Sequence, residues 1–268
     1  MGDPLLSVES VTVRFGGVTA LNSVSFDLQH GHIVGLIGPN GAGKTSLINV
    51  ITGSYRAHEG VVRLDGKDIL PLSPHRRAAL GLTRTFQNLA LFGGMSVYDN
   101  VMVGRHLHIR QGIINSLLPV PIGWSSADET RSQAIVTAIL ERLSLSHLGD
   151  APVGSLSYGH QKRVELARAL AAEPRVLLLD EPFAGMTANE SRELAKIVLQ
   201  IWQEQKLSIL MIEHNMGLIM DIADQVVVLD FGRVVAVGEP AQVVSNPEVI
   251  RAYVGGSLSD ATEATAAA

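Results

Sequence analysis

The segment that most constrains this chain is Gly38-Pro39-Asn40-Gly41-Ala42-Gly43-Lys44-Thr45, which fits G-x-x-x-x-G-K-[ST]. A short apolar run, Ile33-Val34-Gly35-Leu36-Ile37, precedes it, and helical spacing from about Lys44 to Ile51 follows. Glycine admits backbone angles that other residues resist, so such a loop curls with successive N–H groups pointing inward. The next helix aims its N-terminus at the same point, which completes a cradle for phosphate. Lys44 is expected to reach the β- and γ-phosphates of a nucleotide, and the Thr45 hydroxyl to ligate Mg²⁺. Gly38, Pro39, Asn40, Gly41, Ala42, Gly43, Lys44, Thr45 and Ser46 form the expected phosphate-binding set. At average glycine usage, a chance match in a chain this long has odds of roughly one in a hundred.

A second element lies far along the chain. Val176-Leu177-Leu178-Leu179-Asp180-Glu181-Pro182 reads as a buried strand with two carboxylates at its C-terminal end. Open α/β sheets bind ligands at that end of their strands. Asp180 would hold Mg²⁺ through water, and Glu181, one residue beyond, would polarise an attacking water. Alone, such a pair is as readily a surface strand end; the phosphate loop makes it a candidate site.

The remaining pattern frames these two. Leu6 to Val13 alternates, Gly16-Gly17 signals a hairpin before Val18 to Leu21, and Val24, Phe26 and Leu28 alternate again. Val61 to Leu64 is a further strand closed by Asp65-Gly66. From Ser96 to about Ala171 the spacing is helical, with Ser126 and Glu129 as a capping box opening a helix through Leu143. The apolar stretch Ile113 to Trp124, broken by Pro119 and Pro121, reads as a surface loop or a partner contact. The last third alternates strand and helix: Val176–Asp180, Asn189–Gln205, Leu207–Ile212, Met216–Ala223, Val226–Leu229 and Val234–Val237. This alternation predicts an α/β fold with a largely parallel core sheet. After Gly255 the composition predicts a disordered tail.

Composition removes other classes. The chain has 268 residues, no Cys, a net charge of −5 and 4% aromatics. Without cysteine there is no disulfide framework, cysteine-ligated metal or thiol nucleophile. Mild acidity and few aromatics argue against a nucleic-acid footprint or a stacking platform. No apolar stretch is long enough for a membrane span, and the first residues lack a signal-peptide pattern. These features predict a soluble intracellular domain.

A third element carries a resemblance. Leu156-Ser157-Tyr158-Gly159-His160-Gln161-Lys162-Arg163 opens a helix running to Ala171, with Ser157 a good N-cap. Here the chain resembles the ATP-binding cassette family, whose signature loop reads LSGGQ. Tyr158 stands for the first family Gly, and His160 stands at the family Gln position. The resemblance implies that Ser157, Tyr158, Gly159 and His160 act on ATP held by a partner subunit. It also implies that Gln87, in Arg84-Thr85-Phe86-Gln87-Asn88, touches Mg²⁺ and the attacking water and faces a membrane subunit. His214, in Met211-Ile212-Glu213-His214-Asn215, corresponds to the switch histidine that reads the γ-phosphate. Phe15 corresponds to the aromatic that stacks on adenine, although its position also suits a core residue. Glu181, His214, Gln87 and Lys44 are thus the implied catalytic set, and Thr45, Gln87 and Asp180 the Mg²⁺ set. Ala184-Gly185-Met186-Thr187 departs from the usual SALD, placing an uncharged hydroxyl where the family carries Asp.

The resemblance spans about residues 5 to 255. It implies a P-loop NTPase core with mainly parallel sheet, an N-terminal antiparallel β subdomain and an inserted helical subdomain. In that division one ATPase domain covers 1–255, with core and β parts over about 5–88 and 172–255 and the helical part over about 89–171. The FGG at Phe15–Gly17, the insertion around Gly104–Ser125, the Glu213-His214-Asn215-Met216 run and the ending Asn246 to Gly255 narrow it further. They are similar to the ATPase subunits of branched-chain amino-acid importers, the larger of two such ATPases. Urea and amide importers share this pattern, and the lipopolysaccharide-export ATPase shares Glu181-Pro182-Phe183-Ala184-Gly185. A non-transport cassette ATPase acting on nucleic acid or ribosomes is the alternative of another class. The implied partners are a second ATPase subunit, head to tail, two membrane permeases and an extracytoplasmic solute-binding protein, with no nucleic acid. The implied location is the cytoplasmic face of the plasma membrane.

Overall fold

The computed structural model describes residues 3–85, 89–108 and 126–253. The apolar stretch over 113–124, Gln87 and the tail after Gly255 therefore lie outside the described residues. In chain order the elements are β1 (Leu6–Phe15), β2 (Val18–Leu28), β3 (Ile33–Ile37), α1 (Lys44–Thr52), β4 (Glu59–Leu64), β5 (Lys67–Asp68) and α2 (Pro74–Ala79). There follow β6 (Leu82–Arg84), α3 (Val97–Val103), α4 (Ser126–Arg142), α5 (Tyr158–Ala171), β7 (Val176–Asp180) and α6 (Ala188–Gln205). The last are β8 (Ser208–Ile212), α7 (Met216–Ile222), β9 (Gln225–Asp230), β10 (Arg233–Gly238) and α8 (Pro240–Val244). Among the described residues, no helix is long and apolar enough to cross a membrane.

The chain divides into two compact units. The first comprises 1–77, 178–181 and 201–268. It holds a four-stranded antiparallel sheet in the order β2-β1-β4-β5 and a second sheet whose strands run β10-β9-β3-β8-β7. β3 pairs in parallel with β8 on one side and β9 on the other, and β10 closes the edge in antiparallel. β3, β7 and β8 are buried at every residue, as expected of strands covered on both faces. The mixed α/β architecture matches the sequence expectation.

One sequence expectation is redrawn. The two runs Val18–Leu21 and Val24–Leu28 form a single strand, β2. Ser10 and Ser23, both at positive φ, sit where the β1–β2 register shifts. These bulges interrupt the alternation without ending the ladder. Asp65 and Gly66, also at positive φ, form the tight β4–β5 turn.

The second unit comprises 78–177 and 182–200. Helices α3, α4 and α5 pack on one another here, and Ser96 caps α3 by accepting from the Asp99 N–H. Arg105 is buried, donating to the Ala171 carbonyl and to Glu173 at 2.6 Å. Gly104 sits so close to α5 that a Cβ would lie 2.2 Å from the Arg168 carbonyl.

Candidate nucleotide site

The loop over Gly38–Gly43 leaves β3 and feeds directly into α1. Its curl depends on glycine at two places above all. Gly38 has φ 147°, and a Cβ there would lie 2.1 Å from the Leu229 carbonyl oxygen. Gly43 has φ 103°, and a Cβ there would lie 2.6 Å from the Ala20 carbonyl oxygen. The β9–β10 turn braces the loop from behind: Gly232 N–H donates to Ala42 O at 3.0 Å, and Asn22 N–H to Gly232 O at 2.8 Å. Pro39 and Ser46 are partly exposed, while Asn40, Gly41 and Thr45 are exposed. Ala42 is buried beneath them.

Lys44 is only 6% exposed. Its ammonium donates to the carbonyls of Gly38 at 2.7 Å and Pro39 at 2.9 Å. Burial pushes it below the usual lysine range, against the opposing pull of Glu181 and Asp180. Asp180, at the end of β7, is buried. Glu181 follows at φ 50°, a left-handed conformation that is uncommon for a long side chain and concentrates at functional sites. Its N–H donates to Ile212 O at 3.0 Å, which ties it to the end of β8. Its carboxylate then meets His214 Nε2 at 2.5 Å. His214 stands just beyond β8, and Asn215 after it caps α7 by accepting from the Leu218 N–H.

The structure therefore brings Lys44, Asp180, Glu181 and His214 into one neighbourhood of the first unit. A buried cation under the influence of two carboxylates suits a polyanion bound together with a divalent cation. The Thr45 hydroxyl and the Asp180 carboxylate are hard oxygen donors of the kind Mg²⁺ takes alongside water and phosphate. Phe15 is 46% exposed at the end of β1, so it is no core residue. Gln87 lies outside the described residues.

The signature segment lies in the second unit. Ser157 caps α5, its hydroxyl accepting from His160 N–H at 3.4 Å and lying 3.0 Å from His160 Nδ1. Tyr158 is exposed, with Lys162 over its ring at 5.8 Å. Gly159 is buried, and a Cβ there would lie 2.8 Å from Glu190 Oε1. Gly185, at φ 76°, leaves room for the Tyr158 ring, since a Cβ there would lie 3.0 Å from Tyr158 Cε1. Tyr158, which stands where the family carries glycine, thus faces Gly185.

Comparison with known proteins gives the family. The family described as ABC transporter matches residues 21–184, and the one described as branched-chain amino acid ATP-binding cassette transporter matches 233–258. The high-affinity branched-chain amino acid transport ATP-binding protein BraF of Pseudomonas aeruginosa is 39% identical, over 95% of this chain and 99% of its own. LivG of Escherichia coli K12, of the same description, is also 39% identical over the same shares. The chain belongs to the ATP-binding cassette family of transporter ATPases. Among solved structures, the ADP conformation of MJ1267, an ATP-binding cassette of an ABC transporter, superposes with a TM-score of 0.81 at 33% identity, over 95% of this chain and 100% of that one.

Within this cassette, the structure adds three features. Tyr55 meets Phe15 edge-on, with ring centroids 5.1 Å apart at 72°. Nothing in the local pattern links two residues so far apart. Burial pushes the phenol of Tyr253, in the helix over 247–253, up, and the nearby Gly38 backbone opposes the shift. Thr187 caps α6: its N–H and hydroxyl donate to Glu190 Oε2 at 2.9 and 2.7 Å, and Glu190 N–H donates back at 3.3 Å. That motif is visible as T-x-x-E in Thr187-Ala188-Asn189-Glu190 and could have been found.

Proposed function

We propose that this chain binds Mg²⁺ and ATP on the Gly38–Ser46 loop and couples hydrolysis to import of branched-chain or other amino acids. Lys44 holds the β- and γ-phosphates, while Thr45, Asp180 and Gln87 hold the metal. When bound, Mg²⁺ supplies positive charge to the phosphate oxygens as the terminal phosphate leaves. Glu181 takes a proton from the attacking water, and His214, bonded to its carboxylate at 2.5 Å, orients it and reads the γ-phosphate. Phe15 stacks on adenine, steadied by the Tyr55 edge. The single observation that carries this reading is the Glu181–His214 pair beside the buried Lys44.

Two ATPase subunits, this one and a copy or a paralogue, face each other head to tail. Each ATP is then contacted by the phosphate loop of one and by Ser157, Tyr158, Gly159 and His160 of the other. ATP holds the pair closed and its hydrolysis releases it, which moves two permease subunits between inward and outward states. Those permeases hold the chain at the cytoplasmic face of the membrane, and an extracytoplasmic binding protein delivers the solute. The match over 233–258 and the descriptions of BraF and LivG support amino acids as the solute.

The test is uptake of labelled leucine, isoleucine and valine into vesicles carrying the assembled transporter. Uptake is expected to require ATP and to vanish with Lys44→Ala. ATP-dependent uptake that survives Lys44→Ala would sink the site assignment, and hydrolysis without uptake of any of the three would sink branched-chain amino acids as the solute.

A further inference from the structure

We propose that His160 is a positioning residue for Ser157, its imidazole deciding whether the Ser157 hydroxyl is free to donate to a γ-phosphate held by the opposing subunit. The inference rests on the head-to-tail reading above and deepens it. The geometry is local to one turn of α5. Ser157 is exposed and His160 half-buried, with Oγ 3.0 Å from Nδ1. The same oxygen accepts from the His160 backbone N–H at 3.4 Å.

A serine hydroxyl has one hydrogen and two lone pairs. The backbone N–H occupies one lone pair. With the ring neutral and its proton on Nε2, bare Nδ1 accepts the Ser157 hydrogen, so the hydroxyl has nothing left to donate outward. When solvent adds a proton at Nδ1, the ring donates to the second lone pair instead. The hydroxyl hydrogen is released, and a positive charge stands beside it. Both changes favour a phosphate oxygen. A neutral ring can also carry its proton on Nδ1 and donate, whereas protonation removes the accepting tautomer and leaves only the donating one. Histidine at this position makes the contact depend on protons, because imidazole changes charge within the physiological range.

The surroundings of the ring hold both signs. From the turn over Ser146–Leu148, His147 meets it edge-on, with centroids 6.4 Å apart. From α6, Glu190 lies within reach of its charge; Thr187 chiefly holds that carboxyl below its usual range, and Arg163 and His160 add to the effect. Arg163, on α5 itself, is occupied by Glu193 at 2.8 Å.

The experiment measures ATP hydrolysis by the assembled transporter, wild type and His160→Gln, between about pH 6 and about pH 8.5, a span that brackets ordinary histidine titration. The ratio of wild-type to variant rate is expected to fall by about tenfold across that range, the worth of one charge-assisted hydrogen bond. A ratio that stays constant overturns the proposal. Ser157→Ala separates the two layers: it should be slow at every pH, and wild-type rates from it would overturn the head-to-tail reading itself. If Ser157→Ala is slow while wild type and His160→Gln share one pH profile, only the role of His160 is lost. A further readout is the ring-nitrogen NMR titration of His160 in the full chain. It should shift on Ser157→Ala, and an unmoved titration again overturns the proposal.

Discussion

The phosphate loop and the signature segment are both glycine-bearing turns that open a helix, yet they are held in different ways. In the phosphate loop the backbone does the fixing. Added Cβ atoms at Gly38 and Gly43 would strike carbonyl oxygens at 2.1 and 2.6 Å, and carbonyls cannot move without dismantling β2 or β9. In the signature segment side chains do the fixing. Tyr158 leans on Gly185, Glu190 closes over Gly159 and bonds Thr187, and His160 reaches Ser157. The departures from the family pattern, Tyr158, His160 and Thr187, all fall in this second region. Each has a partner that accommodates it. A site made by backbone curvature leaves little freedom to its residues, whereas one made by side-chain pairs can be rewritten when both members change.

That contrast can be broken by substitution. The largest effect should come from Gly38→Ala. A side chain there is strained by φ and clashes with Leu229 O, at a cost of roughly 2–4 kcal/mol in stability. ATP binding should be lost with it; denaturant melts and nucleotide titration check both. A stable Gly38→Ala that still binds ATP would remove the distinction between the two regions.

Gly185→Ala should cost less, because the neighbour is a ring that can shift. Its φ alone is worth about 1–2 kcal/mol. A double-mutant cycle with Tyr158→Gly sharpens the point. The coupling should be about 0.5–1 kcal/mol, since removing the ring relieves the clash at 3.0 Å but not the φ strain. Zero coupling would mean the pairing of Tyr158 with Gly185 is incidental. The smallest effect is Thr187→Ala, which removes the α6 cap and should cost about 1 kcal/mol in stability. Thermal melts with no change would show that Glu190 does not need it.

Legibility in the sequence follows the same division. Residues fixed by backbone chemistry announce themselves: the loop from Gly38 to Thr45, the carboxylates closing an all-apolar strand, and the strand–helix alternation after Val176. Each is written in consecutive residues, and each appears in the structure at the expected place. Pairs made across the chain leave no such mark. Tyr55 against Phe15 and Tyr253 against Gly38 depend on how distant segments meet. The bulges at Ser10 and Ser23 also escape, because a single left-handed residue breaks alternation in the same way as a strand end. The left-handed Glu181 is likewise imposed by tertiary structure, through its N–H bond to Ile212.

The central claim is that Glu181, set by that strained backbone and bonded to His214, acts on the attacking water while the loop around Lys44 does the binding. Single-turnover hydrolysis by Glu181→Gln in the assembled transporter, with ATP binding measured in parallel, tests it most directly. The account predicts near wild-type ATP binding and hydrolysis slower by about a hundredfold or more. Hydrolysis at the wild-type rate with ATP bound would contradict it.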